Sequence, residues 1–412
     1  LSGPTHRIGR YFTKIIEIAR NHQNIMPKKI IIAAGGTGGH IFPGIAIAEQ
    51  LIAKGHTVEW IGTERGLEVQ IVPKHGIKIH YIKVTGFRGK NWLTKLISPF
   101  KIIWAICQSI IILAKQQPDL VVGLGGFVTG PVGIASWLLR KKLAIHEQNA
   151  IAGTSNRILA YFANYVLESF PNSFPEKISR DKLTLFGNPI RNNLLQAIES
   201  FESLEAVNST SDMNFASRSS GSSRYIEAES TKIGQKKLRI LVLGGSRGAR
   251  FLNQLIPTTL AGMPNVLITH QTGTLEYPAT YNLYAEQNLQ DRHNIKPFIE
   301  DMAQAYQNTD LIICRAGAST IFEIMAMGIP SILVPLPSAI DDHQTKNANY
   351  LVNNNAGILI KQSDLTKQRL RSIIEDLILN QNKLHAMQVA ARQLYEQYNF
   401  NSSISYFESI LG

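Results

Sequence analysis

The sequence predicts an α/β protein built as two Rossmann-like domains, with parallel sheets facing a central cleft. Three observations carry that expectation. Short β-branched runs alternate with longer helical patterns, as in parallel sheets joined by crossover helices. Two halves of the chain each open with a strand, a glycine-rich turn and a helix. Between them, residues 199–236 are rich in serine and lack hydrophobic periodicity.

In order, residues 1–28 read as an N-terminal extension, with Met26 as the native start directly before the first strand. Its basic and apolar residues alternate without the continuous apolar run of a signal peptide. Residues 29–198 form the first Rossmann-like domain. Its strand Lys29–Ala34 enters Gly35-Gly36-Thr37-Gly38-Gly39-His40, a helix follows through Leu51, and Thr57–Ile61 is the next strand. Asp119–Gly123 enters Gly125-Gly126-Phe127-Val128-Thr129-Gly130-Pro131, and Leu143–His146 ends in Glu147-Gln148-Asn149. Residues 199–236 read as a flexible insertion or linker. The second domain, residues 237–398, opens with Leu238–Leu243 and Gly244-Gly245-Ser246-Arg247-Gly248, with later strands at Val266–Thr269, Leu311–Cys314 and Ser331–Val334. Residues 399–412 are expected to form a C-terminal helix packed back on the first domain.

At 412 residues, with 17% charged and 44% hydrophobic residues, the chain has the balance of a globular protein of two or three domains. Cys107 and Cys314 are too few for a disulfide framework and read as buried thiols in a reducing compartment. The net charge of +12 is unevenly placed: residues 1–150 hold 19 Lys and Arg against 7 Asp and Glu, and the remainder is balanced. The first domain should therefore face an anionic partner such as lipid headgroups, a polyphosphate or nucleic acid, unless the charge is a solvated face kept for solubility. The longest apolar run, Ile102–Ala114, is shorter than the roughly 20 residues a spanning helix needs, so no membrane span is expected.

Glycine-rich turns let the backbone approach a ligand, and the helix that follows offers unpaired N–H groups to an anion. Neither half carries the Lys-Ser/Thr of a P-loop, and neither gives a complete dinucleotide fingerprint, which argues against NTP hydrolysis and hydride transfer. In Arg315-Ala316-Gly317-Ala318-Ser319-Thr320-Ile321-Phe322-Glu323 the helix start suits a diphosphate. Glu323, a turn further in, can accept two hydrogen bonds from ribose hydroxyls or simply complement the helix dipole. His40, ending the first glycine turn, is a candidate general base because imidazole titrates near neutrality; it could equally orient the acceptor or bind its phosphate. Phe87, Trp92, Leu93, Leu96, Ile97 and Phe100, interleaved with Lys90 and Lys95, read as a membrane-surface patch or as a core helix with snorkelling lysines.

Several motifs in one order carry a resemblance. They are Gly35–His40 with Phe42-Pro43-Gly44, Gly125–Pro131, His146–Asn149 with Gly153, Gly187-Asn188-Pro189-Ile190-Arg191, Gly244–Ala249 and Gly317–Pro330. With them the chain resembles the MurG family (glycosyltransferase family 28) of bacterial UDP-N-acetylglucosamine:lipid-linked muramyl-peptide N-acetylglucosaminyltransferases. The resemblance implies a GT-B fold whose first domain holds the acceptor and the membrane and whose second holds UDP-N-acetylglucosamine. It implies that Ile299 meets uracil through its backbone and Glu323 the ribose. Ser246, Arg191 and the helix start Ala318, Ser319, Thr320, with Ile321 and Phe322, would surround the diphosphate. Asn149, Gln344 and the turn Thr37, Gly38, Gly39 would approach the sugar. It further implies an inverting transfer to the lipid I acceptor in peptidoglycan synthesis, at the cytoplasmic face of the inner membrane. No cofactor, metal or nucleic acid is expected, and cell-wall synthesis proteins are candidate partners.

Arg247 and Phe322 depart from the residues expected at their positions, as does the serine-rich insertion. Two rival readings stay open. Gly244-Gly245-Ser246-Arg247-Gly248 also satisfies the nucleophile elbow of an α/β-hydrolase, with Ser246 as nucleophile and Asp310 and His343 as partners. The other rival is a catalytically inactive, membrane-docked nucleotide-sugar-binding protein. Asp341-Asp342-His343 is the cluster with metal-ligand chemistry, and structural or sugar-binding duty is expected of it.

Overall fold

The computed structural model describes residues 26–84, 92–199, 237–244, 249–398 and 401–411, which form two α/β domains. The first contains β1 (Lys29–Ala33), β2 (Thr57–Gly62), β3 (Lys78–Tyr81), β4 (Leu120–Gly123), β5 (Lys142–Glu147), β6 (Tyr165–Glu168) and β7 (Leu183–Leu185), in the order β3-β2-β1-β4-β5-β6-β7. The second contains β8 (Leu238–Leu243), β9 (Val266–Gln271), β10 (Asn294–Lys296), β11 (Leu311–Cys314), β12 (Ser331–Leu333) and β13 (Gly357–Leu359), in the order β10-β9-β8-β11-β12-β13. All the described pairings are parallel.

Helices cover both faces of such sheets, so central strands must be apolar on both sides. Ile30, Ile31, Ile32 and Ala33 of β1 are fully buried, and every residue of β4 and of β11 is buried. Their side chains feed a separate core on each side of each sheet. Strands β3, β7, β10 and β13 lie toward the sheet margins and are only three or four residues long. Their weak apolar signal is why the sequence pattern does not mark them.

In each sheet the order of successive strands turns back once, between β1 and β4 and between β8 and β11. Ligands of open α/β sheets bind beyond the carboxyl ends of the strands at that reversal. The turns starting at Gly35 and at Gly125 leave β1 and β4, and those starting at Gly244 and Arg315 leave β8 and β11. The turns after β1, β4 and β11 therefore stand at the two switch points, and Gly244 follows β8 beside the last of them; residues 245–248 lie outside the described residues.

Helices α1 (Gly38–Ala53), α2 (Trp92–Gln116), α3 (Gly126–Leu138) and α4 (Thr154–Leu159) belong to the first domain, and α5 (Ala318–Met327) and α6 (His343–Val352) to the second. Residues 192–199 are helical, and the serine-rich stretch at 200–236 lies outside the described residues. The last helix, α7 (Asn401–Leu411), returns to the first domain and buries Phe407, Ile410 and Leu411 among Ile30, Ile32 and Phe186. Lys142 Nζ donates to the Ile410 carbonyl at 2.8 Å and fixes the end of that helix.

Helix α2 extends well beyond the apolar run read from the sequence. By length and composition its span Pro99–Gln116 is apolar enough to cross a membrane, but one face is built into the domain. Ala105, Ser109 and Leu113, spaced four apart, are fully buried against the core of the first domain. The opposite face leaves Phe100, Ile103, Trp104 and Ile111 exposed. Cys107 falls on that outward face and is exposed, which corrects the expectation of a buried thiol; Cys314, inside β11, is buried.

Candidate functional site

The first glycine turn is shaped from behind by Glu68, a fully buried carboxylate. Its Oε1 accepts from the Thr63 N–H at 3.0 Å and the Thr63 hydroxyl at 2.8 Å, and its Oε2 accepts from the Gly36 N–H at 3.1 Å. A Cβ on Gly35 would stand 2.7 Å from both Glu68 Oε1 and Val128 Cγ2, so only glycine fits. Helix α1 then begins at Thr37 without a side-chain cap. Its leading N–H groups, on Gly38 and Gly39, have no intrahelical acceptor and are open to an anion.

His40 sits at the end of this turn, against the second one. A Cβ on Gly125 (φ +96°) would come within 3.1 Å of its ring, so the Gly125-Gly126 turn leaves room for the imidazole. His40 Nδ1 lies 2.9 Å from Gln148 Oε1. Gln148 Nε2 lies 2.9 Å from His146 Nδ1, and His146 Nε2 lies 2.8 Å from the Gly187 carbonyl. Burial lowers the His146 pKa to about 4, so this ring is neutral at working pH.

Glu147 organises the loop after β5. Its Oε1 accepts from the backbone and side-chain amides of Asn149, and its Oε2 from Gly153 N–H and Asn156 Nδ2, both at 2.9 Å. Asn149 Oδ1 in turn accepts from Asn347 Nδ2 on α6 at 3.2 Å, and the Ala150 N–H donates to Asn347 Oδ1 at 2.8 Å. Asn347 is thus a staple between the two domains beside an expected sugar contact.

Helix α5 also starts without a side-chain cap, at Gly317, leaving the N–H groups of Ala318, Ser319 and Thr320 at the second switch point. Asn188, fully buried, reaches across from the first domain to Ser319 Oγ at 3.5 Å. Glu323 is buried one turn into the helix; its Oε2 accepts from Tyr306 Oη at 2.7 Å. Burial, then the adjacent carboxylate, push the Tyr306 phenol well above its ordinary pKa, so it stays a donor. Arg191 Nε lies 3.1 Å from Glu323 Oε1, close enough for an ion pair but not aligned for a hydrogen bond. The same guanidinium stacks over Phe42 of α1, 5.0 Å from the ring centroid. Arg191 therefore links the helix that carries His40 to the helix that carries Glu323.

The remaining expected contact residues have the following surroundings. The Ile321 and Phe322 side chains are fully buried, Phe322 edge-on to Phe170 and Tyr398 at 5.1 Å each, so only their backbone could meet a ligand. Ile299 donates its N–H to Gln271 Oε1 at 2.9 Å. Gln344 Oε1 accepts from the Leu336 N–H at 2.9 Å. Asp341 pairs with Arg157 across the domain boundary at 3.4 Å, and Asp342 accepts from Thr345 Oγ1 at 2.6 Å. Ser246 and Arg247 lie outside the described residues, as do Phe87 and Lys90; Trp92, Leu93, Lys95, Leu96 and Ile97 are in α2, where only their backbone is described.

The hydrolase reading fails on topology. Asp310 precedes β11 and is held by Arg239 at the amino edge of the sheet, with Nη2–Oδ1 at 2.8 Å, whereas the turn at Gly244 leaves the carboxyl edge. No triad can span the two edges. Glu68, Tyr306 and Asn347 were not legible as site residues, because each acts by folding another segment against itself. Gln148 and Asn188 stand inside motifs the sequence did mark.

Comparison with known proteins gives one consistent result. Residues 30–168 match the glycosyltransferase family 28 N-terminal domain and residues 239–403 the family's C-terminal domain. A UDP-N-acetylglucosamine--N-acetylmuramyl-(pentapeptide) pyrophosphoryl-undecaprenol N-acetylglucosamine transferase of Nitrosococcus oceani is 43% identical, over 90% of this chain and 95% of its own length. The crystal structure of Acinetobacter baumannii MurG superposes with a TM-score of 0.69 at 33% identity, covering 93% of this chain and 99% of that one. A UDP-GlcNAc 2-epimerase of Neisseria meningitidis, 13% identical over 94% of this chain and all of its own, shares the fold alone, with a TM-score of 0.60.

Proposed function

The chain belongs to glycosyltransferase family 28, and from that premise we infer that it is a UDP-N-acetylglucosamine-dependent hexosyltransferase of peptidoglycan synthesis. It transfers N-acetylglucosamine to the 4-hydroxyl of the N-acetylmuramyl group of undecaprenyl-pyrophosphoryl-muramyl pentapeptide (lipid I), giving lipid II. The observation that carries the chemistry is the junction of His40, Arg191 and Glu323 between the two switch points.

In an inverting transfer the acceptor oxygen attacks C1 of the sugar as the C1–O bond to UDP breaks. The hydroxyl proton passes to His40, whose Nε2 makes no hydrogen bond among the described residues. Negative charge grows on the departing diphosphate, where the N–H groups starting α5 and the planar guanidinium of Arg191 stabilise it. Glu323 takes the ribose hydroxyls on the lone pairs that Arg191 covers here, so Arg191 exchanges the carboxylate for the diphosphate as the nucleotide enters. Asn149 and Gln344 approach the sugar, Ile299 the uracil. With that charge met by protein groups, the reaction needs no resident cofactor.

Membrane docking is assigned to the first domain, at the cytoplasmic leaflet. Its support is the exposed apolar face of α2, where Phe100 is 73% and Ile111 67% exposed, with Lys101 and Lys115 at its margins. Tyr81, Trp104 and Cys107 line a shallow apolar depression on the same face. The basic excess of residues 1–150 suits anionic headgroups.

The reading is tested by incubating the protein with labelled UDP-N-acetylglucosamine and a synthetic lipid-linked muramyl pentapeptide. Label should enter the lipid from this donor and far less from UDP-N-acetylgalactosamine or UDP-glucose. No transfer from any donor would refute the assignment.

A further inference from the structure

We propose that Gln148 and His146 are positioning residues that fix the tautomer of His40, holding its proton on Nδ1 and leaving Nε2 bare to receive the acceptor's proton. The inference rests on the reading of His40 as general base and adds what determines which ring nitrogen does the work.

Two backbone carbonyls decide the direction of every hydrogen bond in the chain of side chains. A carbonyl only accepts. His146 Nε2 faces the Gly187 carbonyl at 2.8 Å, so it carries the proton. The Ser169 hydroxyl, 3.1 Å from the same carbonyl and 3.3 Å from His146 Nε2, donates its one hydrogen to the carbonyl and offers the ring only an acceptor, which leaves the proton on Nε2. Gln148 Nε2 lies 3.2 Å from the carbonyl of His146, so this end of the amide is the NH2 group. Its second hydrogen then meets His146 Nδ1 at 2.9 Å, which in a neutral imidazole protonated at Nε2 is the acceptor. What remains of Gln148 is its oxygen, and His40 Nδ1 at 2.9 Å must donate to it.

Reversing the amide would press an amide oxygen against the carbonyl of His146 and require a second proton on His146. That ring is fully buried, and desolvation opposes its charge. Gln148 is itself only 1% exposed, so neither partner can turn to water instead. The arrangement also serves the charged form. When Nε2 of His40 takes the proton, Nδ1–H keeps the same acceptor, and no group in the relay has to turn over. An orienting partner of this kind acts as the carboxylate does behind a catalytic histidine, with a neutral amide in its place.

The test uses the full-length protein with 15N-labelled histidine, the His40 ring signals being identified by their loss in His40→Ala. In the wild type the ring nitrogens should show a protonated Nδ1 and a bare Nε2. Gln148→Leu should move population to the Nε2–H form and lower kcat by about tenfold or more, a part of the roughly 10²- to 10⁴-fold that a positioned base supplies. KM for the nucleotide sugar should stay within about twofold, and the melting temperature should show that the variant folds. His146→Phe, which leaves Gln148 able to turn, should give the same mixture of tautomers with a smaller loss. An Nε2–H ring in the wild type, measured without any substitution, overturns the proposal. So does a Gln148→Leu protein with unchanged tautomer and kcat while His40→Ala is inactive. Turnover retained by His40→Ala would instead overturn the base reading on which the proposal depends.

Discussion

Arg191 and Glu323 come from different domains and meet at 3.1 Å, with the carboxylate buried and the guanidinium a third exposed. On the proposed reading, this pair marks where the nucleotide binds. Because Arg191 is partly solvated, the pair itself contributes modestly; a lone buried carboxylate is the larger cost of breaking it. Arg191→Ala is therefore expected to lower kcat/KM for the donor by about 10- to 100-fold, the loss of one charge-assisted diphosphate contact. Steady-state kinetics with varied UDP-N-acetylglucosamine would check this, and a change below twofold would remove Arg191 from the site.

Glu323→Gln should weaken UDP binding by about tenfold, since a neutral amide replaces a charged acceptor for the ribose hydroxyls. Tyr306→Phe should have a smaller effect in the same direction, because it removes the donor that orients Glu323 Oε2. Calorimetric titration with UDP separates the two, and equal affinities in all three proteins would place the ribose elsewhere.

Two fully buried histidines make stability fall on the acid side. Burial lowers the pKa of His146 to about 4 and of His270 to about 3. The unfolded chain binds protons at these residues near their ordinary value of 6.5, the folded chain only far lower. Their contribution is thus complete above that value and is lost as pH falls toward the folded values. At pH 5 each is expected to cost roughly 2 kcal/mol relative to pH 7. Urea unfolding should show the midpoint dropping across that interval, and a flat profile would mean that these rings are not neutral in the fold.

Phe100→Ser together with Trp104→Ser should weaken binding to anionic vesicles by more than tenfold, each large side chain losing about 1.5–3 kcal/mol of burial. Activity on a short-chain, water-soluble acceptor should be retained. Cosedimentation that survives both changes would direct the search to another face.

Gly125→Ala is expected to reduce turnover at least tenfold, because its backbone (φ +96°) is strained for any side chain and the new Cβ would lie 3.1 Å from the His40 ring. UDP binding, which on the proposed reading rests on Arg191, Glu323 and the start of α5 and not on Gly125, should be unaffected; loss of both together would point to general misfolding.

The fold was largely legible because its signals are local. An apolar run such as Ile30–Ala33 followed by glycines announces a buried strand and a tight turn without knowledge of any partner. The same holds for Leu238–Leu243 and Leu311–Cys314. What the sequence could not expose depends on long-range closure. Glu68 reads as an ordinary surface carboxylate until Thr63 and Gly36 are folded onto it. Tyr306 and Asn347 acquire their roles from residues 17 and 198 positions away. Phe322, which the resemblance places near the diphosphate, has its side chain in the core against Phe170 and Tyr398, a packing that its neighbours in the sequence do not announce.

Helix α7 gives the molecule a property that neither sheet has alone. Since the chain leaves the first domain after residue 199 and comes back with α7, the two lobes are joined by two separate connections. A single cut between the lobes therefore does not release the second one: after a break within residues 200–236, α7 still holds it to the first through Phe407, Ile410 and Leu411.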